Sequence, residues 1–173
     1  LPSPHFPYQI DYQLFIKPFA MKNFFVLITF VLILTACDPY HYEATSFIEL
    51  KKEPCFGFCP VYTFKADGKG HATFHGDHNV SKEGDWTRTL TPEETNALFS
   101  AFGKSNFAAF QDEYAAEVTD LPTTWLTFHH GDLKKTIKDY YGAPDSLKAL
   151  EKLVEAIAET DDGWVKTREN PGQ

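Results

Sequence analysis

From Ser46 onward the apolar positions of the chain fall into two spacings, one of period two and one of period 3.6. Ser46 to Lys52 alternates around Ile48 and Leu50, and Val61 to Ala66 and Gly70 to His75 alternate on either side of Asp67-Gly68. Runs of this kind bounded by turn residues predict strands, and the second and third predict a hairpin. Its loop length decides which residues share a face. A two-residue Asp67-Gly68 loop would set Tyr62 and Phe64 opposite to Ala72 and Phe74. A three-residue loop with Gly68 in the left-handed region puts all four on one side, and that register is preferred because it makes one apolar face. A further strand is expected through Trp86 to Leu90.

Thr91-Pro92-Glu93-Glu94 then starts a helix, with Thr91 as N-cap, proline in the first turn and Glu94 completing a capping box. Leu98, Ala101 and Phe102 fall on one side, and Gly103 stands where a helix stop is expected. Phe107 and Phe110 follow in a short segment that closes the core. Thr123 to His130 and Leu133 to Tyr140 predict a second hairpin around Gly131-Asp132, with Leu126 opposite Ile137 on the core face and Trp125 and Thr127 on the other. From Asp145 to Glu159 the 3.6 spacing returns through Leu147, Leu150, Val154 and Ala158, and Trp164 is expected to close that end. The predicted class is α+β: an antiparallel sheet built from two hairpin-plus-helix halves, with two main helices on one face.

The first part of the chain has a different pattern. Phe24 to Leu34 is an uninterrupted apolar run that follows Met21 and Lys22. It is shorter than the roughly 20 residues a spanning helix needs and fits the apolar region of an export signal. Leu34-Thr35-Ala36-Cys37 resembles the lipobox of bacterial lipoproteins, in which a lipid is attached to the cysteine and the chain is cut before it. The expected organisation is therefore a non-native upstream extension over 1–20 and a lipoprotein signal peptide over 21–36. A lipidated tether over 37–45, a single α+β domain over 46–165 and a disordered tail over 166–173 complete it. The resemblance implies a bacterial cell-envelope location, held to the inner or outer membrane through the lipid on Cys37.

Composition sharpens this. The 173 residues carry 16 basic and 24 acidic side chains, a net charge of -8. Cleavage before Cys37 removes Lys17, Lys22 and Asp11 and leaves the rest more acidic still. Phosphate-backbone affinity comes from Lys and Arg, so no nucleic-acid partner is expected. Assigning Cys37 to lipid leaves Cys55 and Cys59 as an even pair, which in an oxidising compartment reads as one disulfide. Two alternatives stay open: the pair as copper-binding thiolates with a distant histidine, or as a thiol-exchange couple.

No catalytic motif is present. His71 and His75 share a strand face but lie about 13 Å apart, too far to share a metal directly, and His129 and His130 point to opposite faces. The carboxylates Glu113, Glu117, Asp120, Asp161 and Asp162 read as a solvated acidic surface, and no cofactor or metal is expected. Aromatic residues in tether or loop contexts, Tyr40, Tyr42, Phe56, Phe58, Tyr140 and Tyr141, are contact candidates. Among them the Phe56-Gly57-Phe58 tip between the two cysteines is singled out as a rigid interaction surface.

The run Pro54-Cys55-Phe56-Gly57-Phe58-Cys59-Pro60-Val61-Tyr62, with Asp67-Gly68, Tyr114, Asp120-Leu121-Pro122 and Asp139-Tyr140-Tyr141-Gly142-Ala143-Pro144, resembles a family of bacterial envelope lipoproteins. Its members share a Pro-Cys-x-Gly-x-Cys-Pro-x-Tyr signature, and the resemblance covers about Phe47 to Trp164. It implies a lipid-anchored envelope domain and supplies no catalytic residue. The expected function is a non-catalytic binding or structural module, with another envelope protein or a small ligand as partner. A copper-binding or thiol-redox protein using Cys55 and Cys59 is the alternative.

Overall fold

Strand β1 (Phe47–Lys52) holds a central place in an eight-stranded sheet, and its alternating residues set the register on both sides. The computed structural model describes residues 42–167; the expected signal segment, Cys37 and Tyr40 lie outside the described residues, as do residues 168–173. The remaining strands are β2 (Val61–Asp67), β3 (His71–His78), β4 (Gly84–Thr89), β5 (Glu113–Tyr114), β6 (Thr124–His130), β7 (Leu133–Asp139) and β8 (Val165–Lys166). Their order across the sheet is β5-β7-β6-β1-β2-β3-β4-β8, antiparallel throughout except for β5 beside β7. Helix α1 (Pro92–Lys104), a 3₁₀ turn (Phe107–Ala109) and helix α2 (Asp145–Glu159) complete the elements.

One apolar row crosses six strands. Leu50 lies opposite Leu126 on one side and Phe64 on the other, and the row continues to Ile137 at one end and through Phe74 to Trp86 at the other. Because side chains alternate along each strand, this register gathers every core-facing residue on one side. Both helices cover that side. The rings of Phe99 and Phe102 on α1 pack on Phe128, at 6.5 and 5.3 Å between centroids. Helix α2 buries Leu147, Leu150, Val154 and Ala158. Trp164 closes the end, edge-on to Phe64 and Phe74. The opposite sheet face carries Glu49, Lys51, Thr63, Lys65, Thr73 and His75, all exposed or half-buried.

The fold is thus α+β, a mostly antiparallel sheet with two helices. Both expected hairpin registers hold, with Phe64 opposite Phe74 and Leu126 opposite Ile137. The capping box is present: the Thr91 hydroxyl accepts from the Glu94 amide at 3.1 Å, and Glu94 accepts from the Thr91 amide at 2.8 Å.

Four expectations need correction. In the first hairpin Gly70, at φ 86°, takes the left-handed position expected of Gly68. Gly68 is glycine for another reason, since a Cβ there would run into the backbone of Tyr42 and Glu43. Helix α1 continues through Gly103, and the left-handed residue after it is Asn106 at φ 51°, the other residue type that tolerates this stop. Tyr42, read as tether, is 3% exposed, with its ring 4.6 Å from Phe99 and 5.1 Å from His130, so the packed region begins before Ser46. Lys166, read as tail, pairs with Trp86 in β8, and the Thr167 amide donates to the Asp85 carbonyl at 2.8 Å.

Candidate functional site

Residues 53–60, between β1 and β2, are too many for a tight hairpin turn, and they form a loop with a fixed base and a free tip. Cys55 and Cys59 are joined by a disulfide with their Cα atoms 5.7 Å apart, within the usual span of about 4.4–6.8 Å. The base is tied on both sides: the Glu53 amide donates to the Thr123 carbonyl at 2.9 Å, and Asn79 Nδ2 donates to the Cys59 carbonyl at 3.1 Å. At the tip, Phe56 is 90% exposed and Phe58 95%. Every other phenylalanine among the described residues is buried or half-buried. Large aromatic side chains normally supply core area, so two beside a crosslink and almost wholly in water form an exposed apolar surface that the core does not use. With both sulfurs in the disulfide, neither is a thiolate; copper binding requires the reduced pair, whereas a thiol-exchange couple includes this oxidised form.

At the same end of the sheet, where β7 runs out and α2 passes over it, lies a groove of about 490 Å³. Leu121, Pro122, Tyr140 and Tyr141 line it, all from the runs that carry the family resemblance. The Tyr140 hydroxyl donates to the Val118 carbonyl at 2.8 Å and so pins the 118–122 loop along this wall. Below them are Asp139 and Glu151, both buried. Lys148 Nζ pairs with Asp139 Oδ2, and with Glu151 Oε2 at 3.4 Å. Burial first, and then the neighbouring Asp139 charge, push the Glu151 carboxyl up to about 7. Burial pulls the Lys148 ammonium down, but Asp139 and Glu151 outweigh it and leave it above its ordinary value.

Sequence reasoning missed this cluster. The carboxylates it named, Glu113, Glu117, Asp120, Asp161 and Asp162, are all exposed, with Glu113 paired to Lys138 at 2.8 Å and Asp161 to Lys82 at 3.5 Å. A signal was available for Glu151. It stands four residues after Leu147 and three before Val154, inside the apolar stripe of α2, where a charge must be buried. Asp139 carries a similar signal, two residues beyond the core residue Ile137 on the same strand.

The histidines do not converge. His71 lies beside Asp67 at 3.2 Å, and His75 beside Asp85 at 2.6 Å and Asp77 at 3.4 Å. His129 and His130 contact the Thr45 carbonyl and Ser46. Among the described residues no group of three or more His, Cys, Asp or Glu side chains is arranged to hold a metal ion.

The family model of a domain of unknown function, DUF6438, matches residues 46–158. The chain belongs to the DUF6438 family. The match takes in β1 to β7 and nearly all of α2, so the disulfide loop and the groove both lie inside the DUF6438 region, while Trp164 and β8 lie beyond it. No curated protein matches the chain.

Proposed function

We propose that this chain is a lipid-anchored cell-envelope protein, a non-catalytic binding module whose contact surface is the disulfide-closed Phe56-Gly57-Phe58 tip, and whose partner is another envelope protein. The observation that carries the reading is the near-complete exposure of Phe56 and Phe58 on a loop whose base is fixed by a crosslink and two hydrogen bonds. A surface held rigid before binding loses little entropy when it is covered, so two aromatic rings can supply useful affinity.

The path of the chain supports a partner other than the anchoring membrane. A lipid on Cys37 is separated from Tyr42 by five residues, at most about 18 Å of extended chain. Tyr42 packs beside Gly68, at the turn between β2 and β3. The tip stands at the other end of β1, a strand length of about 20 Å further along. No described helix is long and apolar enough to cross a membrane, and the lipobox-like Leu34-Thr35-Ala36-Cys37 supplies the attachment. Two acyl signals or more make such attachment stable.

Two measurements test this in a bacterial host expressing the full chain. Palmitate labelling is expected in the parent and lost in Cys37→Ser; an unlabelled parent overturns the anchor. Photo-crosslinking from benzoylphenylalanine at position 56 or 58 is expected to give one discrete protein adduct that Thr87, on the open sheet face, does not give. The adduct should disappear when Cys55 and Cys59 are both serine. Equal labelling from all three positions, or none, removes the tip from the reading.

A further inference from the structure

We propose that the partner of the Phe56-Gly57-Phe58 tip also covers the wall formed by Val118, Leu121 and Tyr141 and sets an uncharged apolar side chain in the groove there, which rests on the reading of the tip as a contact for another protein. Six large hydrophobic side chains are exposed among the described residues: Phe56, Phe58, Val118, Leu121, Tyr141 and Val165. All but Val165 share one end of the sheet. Lys52, Thr124 and Asp139 stand side by side in the register, so the ends of β1 and β7 flank the start of β6. Neighbouring strands lie about 4.8 Å apart, so the chain leaves β7 toward Tyr140 and Tyr141 roughly 10 Å from where it leaves β1 toward the tip. The Glu53 amide at the base of the tip loop donates to the Thr123 carbonyl, two residues after Leu121. Val118 is held to the same wall, its carbonyl accepting from the Tyr140 hydroxyl. Single apolar residues scattered over a surface are ordinary, whereas a group gathered at one end marks an interaction surface.

Size requires more than the tip. A buried phenylalanine covers about 150–250 Å², so the two rings together supply at most about 500 Å². A stable protein interface takes about 800 Å² from each partner. The remainder must come from ground adjoining the tip, and its two flanks differ. Toward β3 the exposed residues are Asp77, His78, Asn79 and Ser81, all polar. Toward β6 and β7 the exposed surface includes Val118, Leu121 and Tyr141, whose removal from water is favourable. The kind of side chain that enters the groove follows from its charges. Lys52 pairs with Glu155 at 2.7 Å, Lys148 with Asp139 and Glu151, and Lys152 brings the lining to three of each sign. An added cation or anion would lose its water without finding an unmatched opposite charge. An uncharged apolar side chain leaves those pairs intact and packs on Leu121 and Tyr141, and a groove of about 490 Å³ has room for a large one.

The test is photo-crosslinking of the full chain in the same bacterial host, with benzoylphenylalanine placed in turn at positions 58, 78, 121 and 141. Mass spectrometry should identify one and the same polypeptide in the adducts from 58, 121 and 141, while position 78, on the polar flank, should give none. Leu121→Asp should lower the yield of the position-58 adduct about tenfold with thermal unfolding unchanged, because a carboxylate carried into an apolar contact loses its water. Lys152→Gln should leave that yield as it is, since no charge of the partner is being matched. Should Leu121→Asp fail to fold, Tyr141→Glu, at a ring 53% exposed, makes the same comparison. An adduct from 58 with none from 121 and 141, or with a different polypeptide there, overturns the extended surface and leaves the tip as a contact. No adduct from 58 overturns both. An equal adduct from 78 overturns the choice of flank, and an adduct with the mass of two copies, or crosslinking to lipid alone, overturns the assignment to another protein.

Discussion

The hydroxyl of Tyr62, three residues beyond Cys59, donates a 2.9 Å hydrogen bond to Glu159 Oε1 in the last turn of α2. It ties the strand that leaves the disulfide loop to a residue 97 positions later. The ring itself is buried and stacked on Phe74 at 4.9 Å. Burial first, then the Glu159 charge, hold the phenol well above its usual range, so it stays a donor at every ordinary pH.

Tyr62→Phe keeps the stacked ring and removes only this bond, so it should cost about 1–2 kcal/mol in thermal unfolding. Paired with Glu159→Ala, which removes the acceptor, it forms a double-mutant cycle, and the two effects should not add. Simple additivity would show that the hydrogen bond contributes nothing to stability.

The disulfide and the core phenylalanines should behave very differently. The bridge closes a ring with a sequence separation of 4, for which unfolded-state entropy gives at most about 2 kcal/mol. Cys55→Ser with Cys59→Ser should therefore leave the domain folded and slightly weakened. Phe56→Ala and Phe58→Ala should change stability by less than about 0.5 kcal/mol, while Phe64→Ala, two positions after Tyr62 and fully buried, should cost about 3–5 kcal/mol. Denaturant unfolding of the four variants checks the ranking.

Lys82 is 4% exposed, and its ammonium donates to the carbonyls of Glu159 at 3.3 Å and Thr160 at 2.8 Å, where α2 ends. A helix C-terminus leaves carbonyls unpaired and carries partial negative charge, so a buried cation there replaces both water and counter-ion. Lys82→Met keeps most of the stem and removes the donor. It should lower stability by about 2 kcal/mol, and hydrogen exchange should show the last turn of α2 opening first.

His75 gives a pH signature on the open sheet face. Its hydrogen bond to Asp85 at 2.6 Å raises its pKa, with the Asp85 and Asp77 charges adding to the effect. A raised folded value means that the stabilising contribution is present below the ordinary histidine pKa and is lost as pH rises through the folded one. Asp85→Asn should bring the NMR-titrated pKa of His75 back toward its ordinary value. The stability difference between the parent and Asp85→Asn should shrink from pH 5 to pH 8; a constant difference would mean that Asp85 acts through something other than His75.

Local pattern determined a good part of this protein. The faces of β2, β3, β6 and β7, the Thr91 capping box and the apolar stripe of α2 follow from neighbours two, three or four residues apart, and those neighbours are on the same element. The Cys55 and Cys59 pair and its phenylalanine tip were legible for the same reason, being a closed local unit. What the tertiary structure decided is what each residue meets from elsewhere in the chain. Tyr42 and Phe58 are both aromatic residues outside regular strands, yet one is buried on Phe99 and the other is in water, because only Tyr42 lies where α1 and the β2–β3 turn come together. Gly68 and Gly70 look interchangeable until the backbone of Glu43 passes over one of them. Asp139 and Glu151 stand at core-side positions of a strand and a helix, but nothing local says that they meet each other and Lys148. Packing α2 over the end of β7 removes both from water, because burial is a property of the elements that meet and not of the segment that carries the residue.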